Sequence, residues 1–283
     1  SFGSVAADGP TVADIALMDE LGEVLGERPQ RPKTRKDPYQ VAVGVREVTT
    51  YADRMAATRA VAAERPDDYR DYAHVVVDEA QDVSPMQWRM VGRRGQHASW
   101  TVVGDPAQSA WPDPAEAATA MTSALGSRRR SEYALTTNYR NSAEIFDLAA
   151  RVIRHAEPDI ELPVAVRGTG VAPTHQLVAG DELVGAARGA ATAMLDLVEG
   201  TVGVITAMAD ADRVAEWLSG LAPDRLQVVG SLHAKGMEYD GVIVIEPARI
   251  RDEGTSGVRT LYVALSRATQ QLTTVATDGS WLP

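Results

Sequence analysis

Cysteine is absent from the 283-residue chain, which excludes disulfides, zinc–thiolate centres and cysteine nucleophiles. Histidine is scarce as well, and five scattered residues leave little for an imidazole-based metal cluster. No apolar run approaches the roughly 18 residues of a membrane span, and the opening residues lack the basic-then-apolar order of a secretory signal. The expectation is a soluble, cytoplasmic protein. Positive charge is in deficit, with 28 Lys and Arg against 39 Asp and Glu for a net charge of −11. That disfavours a surface coating nucleic acid indiscriminately, because such binding relies on clustered cations neutralising phosphates. Local basic strips remain open. Lysine occurs three times, as Lys33, Lys36 and Lys235, preceded by Pro32, Arg35 and Ala234. A phosphate-cradling P-loop needs Gly-Lys followed by Ser or Thr, since backbone N–H groups wrap the phosphates while the lysine reaches their outer oxygens. The sequence has none.

What is present is ordinary globular usage, 45% hydrophobic and 24% charged, in a length that suggests two domains or one large one. Thr11 with Asp14 forms a helix-cap pattern, and Val12, Ile15, Met18, Leu21 and Leu25 then recur at helical spacing, predicting a helix over 11–25 with one buried face. Residues 26–38 carry three prolines and five basic side chains without periodicity, which predicts a solvated loop. A second helix is expected over 49–64. From residue 74 onward short β-branched runs alternate with helical stretches, the texture of parallel strands joined by crossover helices. Strands are expected at 74–78, 100–104, 132–136, 175–179, 202–207, 226–230, 241–246 and 272–276. Helices are expected at 84–94, 113–125, 141–155, 181–199, 209–220 and 257–269. Gly126-Ser-Arg-Arg-Arg-Ser131 is the strongest interior punctuation, so the chain reads as an α/β protein with domains over 1–131 and 132–283.

The sharpest chemical signal is His74-Val-Val-Val-Asp78-Glu79-Ala80-Gln81-Asp82, a buried-type strand ending in carboxylates. In open parallel sheets ligands sit beyond the carboxyl ends of strands. There Asp78 would hold Mg²⁺ while Glu79 orients or deprotonates a water, as in metal-assisted phosphoryl transfer. The competing reading is an acidic strand-to-helix turn, with Asp82 or Ser84 capping the next helix. The following strand ends in Gly104-Asp-Pro-Ala-Gln108-Ser-Ala-Trp111, where Gln108 would meet a phosphate or attacking water and Trp111 would stack on a base or simply pack. Arg140, in Asn138-Tyr139-Arg140, and Arg267, in Tyr262-Val-Ala-Leu-Ser-Arg267-Ala268, suit guanidinium contacts to a phosphate, although a lone arginine is more often a surface ion pair.

Together, in order and spacing, these segments resemble the motor core of the UvrD/Rep-like superfamily 1 helicases over about residues 74–276. Asp78 to Asp82 looks like motif II, Gly104 to Trp111 like motif III and Asn138-Tyr139-Arg140 like motif IV. Lys235-Gly236-Met237-Glu238-Tyr239 looks like motif V, and Tyr262 to Ala268 like motif VI. The resemblance implies RecA-like parallel sheets, a partial first domain and a complete second one, with ATP and Mg²⁺ as cofactors. It implies Asp78 as the metal ligand, Glu79 as the catalytic base, Gln108 as the link from γ-phosphate to the DNA surface and Arg140 and Arg267 as arginine fingers. Gly236 and Glu238 would sit at the nucleotide, and Trp111 would face single-stranded DNA. The missing Walker A motif makes the chain look like the C-terminal part of a longer motor, inactive as an ATPase by itself. His233 lies one residue nearer Lys235 than is typical for UvrD sequences. With Thr11–Glu20, Ser84–Met90 and Asn141–Ile145, that spacing resembles the HelD type of helicase-like ATPase, whose partner is bacterial RNA polymerase. The resemblance leaves three functions to weigh: a polymerase-remodelling ATPase, a 3′–5′ DNA translocase, or a RecA-like binding module without turnover.

Overall fold

The computed structural model describes residues 9–25, 72–109, 111 and 113–283; the loop expected at 26–38 and the helix expected at 49–64 lie outside the described residues. The chain divides into two compact units. One comprises Ser1–Asp78, Val83–Val102 and Ala115–Arg128, the other Glu79–Asp82, Val103–Pro114 and Arg129–Pro283. Every strand pairing among the described residues is parallel, so the fold class is α/β with parallel sheets. No helix among these residues is long and apolar enough to cross a membrane.

In the smaller unit α1 (Val12–Leu25) precedes β1 (His74–Val77), α2 (Pro85–Arg94), β2 (Ser99–Val102) and α3 (Pro114–Leu125). β1 and β2 pair from His74↔Ser99 to Val77↔Val102. Helix α2 starts at a reciprocal cap, since Ser84 Oγ accepts from Gln87 N at 3.2 Å and Gln87 Oε1 accepts from Ser84 N at 2.7 Å. Pro85 adds a preset φ in the first turn, where its missing N–H costs nothing. Of the two caps weighed from sequence, Ser84 is the one used. The buried face expected for α1 is not found: Val12, Ile15, Met18, Leu21 and Leu25 are exposed and only Ala16 is buried. Ion pairs hold this helix instead. Asp19 meets Arg94 at 2.6 Å and also pairs with Arg93, while Glu20 meets Arg93 at 2.7 Å and Arg89 at 3.5 Å.

The larger unit runs β3 (Thr137–Ser142), α4 (Ala143–Ala156), β4 (Val164–Arg167), β5 (Thr174–Leu177), α5 (Leu183–Leu197), β6 (Val202–Thr206) and α6 (Ala211–Trp217). It continues through β7 (Leu226–Gly230), β8 (Tyr239–Ile245), α7 (Pro247–Arg251), α8 (Gly257–Leu265) and β9 (Ala268–Ala276). Its main sheet has the order β5-β9-β8-β6-β7, and β3 pairs with β4 separately. β6 and β8 are central and almost wholly buried, as expected of parallel strands covered on both faces. Their period-two alternation feeds two cores. Ile205, Val242 and Val244 pack with Ile145, Leu148, Ile153, Leu261 and Leu265 of α4 and α8. Val202, Val204, Ile243 and Ile245 pack with Ala187, Ala191 and Met194 of α5 and Val214 of α6. Each fully buried Val, Ile or Leu side chain contributes about 1.5–3 kcal/mol, so these two layers dominate the stability of the unit.

The strand expected at 132–136 is displaced to β3, and its partner β4 was not anticipated. The reason is chemical: Thr-Asn-Tyr-Arg-Asn-Ser lacks an aliphatic residue, so its strand geometry comes from pairing and side-chain hydrogen bonds rather than from an apolar pattern. After β3, Ser142 caps α4 by accepting from Ile145 N at 3.4 Å.

Glu144, in the first turn of α4, ties down the loop after β4. Its carboxylate accepts from Gly170 N at 2.6 Å and from Thr169 N at 3.2 Å. Hydrogen bonds from its own backbone N–H and from Gly170 and Thr169 lower its pKa to about 2 from the usual 4.5. A carboxyl depressed on folding stabilises the protein above the unfolded value and loses that contribution as pH falls through the folded one. We expect Glu144→Gln to lower the unfolding midpoint at pH 6 relative to wild type, with the difference closing as pH approaches about 2; denaturant titrations at several pH values measure it.

Candidate functional site

Two loops that follow β1 and β2 meet within the larger unit. Ala80 N donates to Val103 O at 3.0 Å, Asp105 N to Gln81 Oε1 at 2.9 Å and Ser109 Oγ to Gln81 O at 3.2 Å. The glycine at 104 accommodates this close approach, since a Cβ there would stand 2.8 Å from Gln81 Oε1, displacing that amide, and 3.2 Å from Ala80 Cβ. Glu79 sits at φ +50°, a left-handed conformation that costs a non-glycine residue of order 1–3 kcal/mol and persists where surroundings over-determine it. Its Oε2 accepts from Gln81 Nε2 at 2.6 Å. Asp78 immediately precedes it but belongs to the smaller unit.

The second set of groups comes from the amino ends of β8 and β9. Lys235, Gly236 and Glu238 lie in the turn entering β8, with Gly236 at φ +70°, a conformation suited to glycine. Lys235 Nζ meets Asp82 Oδ1 at 2.6 Å. Glu238 Oε1 meets Arg140 Nε of β3 at 2.8 Å, and both side chains are about half exposed. Arg267, between α8 and β9, is 2% exposed. Its Nε donates to Val263 O at 3.1 Å, Nη1 to Met237 O at 3.3 Å and Nη2 to Gln108 Oε1 at 3.0 Å. Burial lowers the pKa of this guanidinium, and Arg140 adds to that, while Glu79 and Glu238 oppose it. Gln108 thus holds Arg267 through its oxygen and Asp105 Oδ2 through its nitrogen at 2.7 Å.

Of the residues singled out in the sequence, Glu79, Gln108, Arg140, Gly236, Glu238 and Arg267 therefore share one unit, and Gln108–Arg267 and Arg140–Glu238 touch. Trp111 shares it as well. It is half-buried, and its indole N–H has no hydrogen-bond partner among the described residues. Among the described residues no group of three or more His, Asp or Glu is arranged to hold a metal ion.

Sequence reasoning missed Arg259. Its Nε and Nη2 form a fork on Glu157 at 2.6 and 2.7 Å, and its Nη1 donates to Pro106 O at 3.1 Å. The pair with Arg259 holds the Glu157 carboxyl below the usual range and pushes the guanidinium up. The Nη1 bond seats the 105–108 turn on α8, with Ala107 buried at 2% in the core beneath. The available signal was helical spacing, which puts Arg259, Tyr262 and Ser266 along one side of α8 and its end. We expect Arg259→Ala to speed amide exchange at Gln108 and Ser109 about five- to tenfold, the loss of roughly one hydrogen bond, while Val244 in the core stays protected; hydrogen–deuterium exchange resolves the two.

The UvrD/REP helicase N-terminal domain family matches residues 38–111. No curated protein matches the chain significantly. Among solved structures, the C-terminal domain of a possible DNA helicase from Lactobacillus plantarum WCFS1 is similar, with 24% identity over 49% of this chain and 86% of that one and a TM-score of 0.37. The family match contains Asp78, Glu79, Gln108 and Trp111, so the carboxylate loop and the glutamine loop of the site lie in a segment similar to the UvrD/REP helicase N-terminal domain.

Proposed function

We propose that the chain is the C-terminal motor portion of a UvrD-like, helicase-family ATPase of the HelD type, which in its complete form binds bacterial RNA polymerase and remodels or recycles it using ATP and Mg²⁺. The observation that carries the motor reading is the gathering of Glu79, Gln108, Arg140, Glu238 and Arg267 in one unit, with a buried arginine held by the glutamine of a neighbouring loop. Such a set fits a polyanion. Two guanidiniums offset charge that develops on a transferred phosphoryl group, and a carboxylate orients the attacking water. Bound Mg²⁺ would supply Lewis-acid neutralisation of phosphate oxygens, with Asp78 as its protein ligand. Gly236 and Glu238 would line the nucleotide. On this reading residues 1–131 belong to a first RecA-like domain without its Walker A strand, and 132–283 form the second.

The HelD-type assignment rests on the close spacing of His233 and Lys235, on the segments Ser84–Met90 and Asn141–Ile145, and on the net charge of −11, which suits a protein partner better than a polyphosphate track. A second reading, a UvrD-like 3′–5′ translocase on single-stranded DNA, is favoured by the half-buried Trp111, whose indole N–H has no partner among the described residues. For this chain by itself the proposal is a non-catalytic RecA-like module, because no Gly-Lys-Ser/Thr is present to wrap the phosphates.

Pull-down with bacterial RNA polymerase core and anisotropy with a single-stranded oligonucleotide separate the two readings. The expected outcome is polymerase binding without salt-sensitive DNA binding, and the reverse pattern overturns the HelD assignment. In the complete protein Glu79→Gln should retain ATP and lose at least about 100-fold in turnover, the lower end of what a single acid–base group contributes. Unchanged turnover removes Glu79 from the mechanism.

A further inference from the structure

Arg140 and Arg267 are far apart in the chain, yet one pair of carboxamides touches the backbone at both. Asn141 is 2% exposed. Its Nδ2 donates to Ser266 O at 2.7 Å and to Ala268 O at 2.6 Å, the two carbonyls that flank Arg267. Both hydrogens of that amide are thereby used, and the amide orientation is fixed chemically, since the opposite one would set an oxygen against two carbonyls. Its Oδ1 accepts from Asn138 Nδ2 at 2.9 Å. Asn138 Oδ1 in turn accepts from Arg140 N at 2.9 Å and Asn141 N at 3.2 Å. The register of β3 against β4 shifts between Asn138 and Ser142, an irregularity of the kind that re-aims a side chain. Arg140 sits inside it.

We propose that Asn138 and Asn141 are positioning residues that lock Arg140 and Arg267 into one rigid constellation. The inference rests on the nucleotide reading above and adds to it a specific source of preorganisation. Catalytic electrostatics demand charges that do not reorganise as the reaction proceeds. Here the arginine in β3 and the arginine before β9 come from separate sheets, joined at longer range by the core that α4 and α8 share and by Arg167, whose Nη2 donates to Arg140 O and Thr269 O. A network in which the whole carboxamide of Asn141 is used, on the two carbonyls next to Arg267 itself, removes the local freedom those ties leave. Arg140 keeps Glu238 as its counterion at 2.8 Å, and the brace acts on its backbone, leaving the guanidinium available to an anion that displaces the glutamate.

The first test uses this chain without nucleotide. In side-chain NMR the Nε–H of Arg267, which donates to Val263 O, is expected to exchange slowly with water. Asn138→Ala should accelerate that exchange and that of the Arg140 amide about five- to tenfold, the weight of one hydrogen bond, with core amides of β8 unchanged. The second test uses the complete motor. Asn141→Asp keeps the shape and removes both donors; it should lower kcat roughly 10- to 100-fold, as a misplaced catalytic group does, with KM for ATP held within about twofold. Ile153→Val, a core substitution in α4, should lower stability while leaving kcat alone. Where Asn141→Asp does not fold, Asn138→Ala decides. Arg267→Ala separates the levels: a slow Arg267→Ala beside normal Asn141→Asp and Asn138→Ala overturns the brace, whereas a normal Arg267→Ala overturns the nucleotide reading and the brace with it.

Discussion

A guanidinium buried at the amino end of β9 constrains the larger unit more than any other group. Removing such a charge from water costs several kcal/mol even after relaxation, so each donor of Arg267 needs an acceptor, and the four acceptor residues come from three places. Val263 and Ser266 belong to α8 and its end, Met237 to the turn entering β8, and Gln108 to the loop that follows β2. Each therefore has its position set in part by one side chain. The surrounding pairs extend the same logic outward, from Gln108 to Asp105, from Arg259 to Glu157 and Pro106, and from Lys235 to Asp82.

That polar layer stands on a scaffold built by simpler forces. β6 and β8 divide their side chains between two apolar cores, and the helices on each face are placed by those cores rather than by polar contacts. The amino ends of β8 and β9 are consequently rigid platforms, and the groups mounted there, Glu238 and Arg267, inherit that rigidity. Within the polar layer left-handed backbone occurs at Glu79 and Gly236, beside the Glu79–Gln81 hydrogen bond and the Lys235–Asp82 ion pair. In the smaller unit the balance differs. α1 is fastened by carboxylate–arginine pairs that leave its apolar residues in solvent, and surface pairs of this sort are screened by water and salt and contribute little each.

Much of the scaffold was legible from residue order. The apolar runs at Val202–Thr206 and Tyr239–Ile245, the cap at Ser84 and the amphipathic stripe of α4 each announce an element by local chemistry, and the structure places them close to where that chemistry puts them. The site was legible in part. Carboxylates after a buried strand and arginines beside small residues stand out because those residue types are costly to place without a partner. β3 was misplaced because its six residues are polar or aromatic, and α1 was given a buried face because helical periodicity records which residues are apolar but not what covers them.

By itself, the sequence determined the α/β class, the alternation that builds two cores and the identity of the charged residues in the loops. Those follow from local spacing, where each residue's neighbours are its chain neighbours. Only the tertiary structure decided that Asn141 clamps the carbonyls on either side of Arg267, that Arg259 pins the 105–108 turn and that Lys235 meets Asp82. These contacts join residues more than 100 positions apart, and a hydrogen bond depends on ångström-scale distance and direction, which no pattern along the chain encodes.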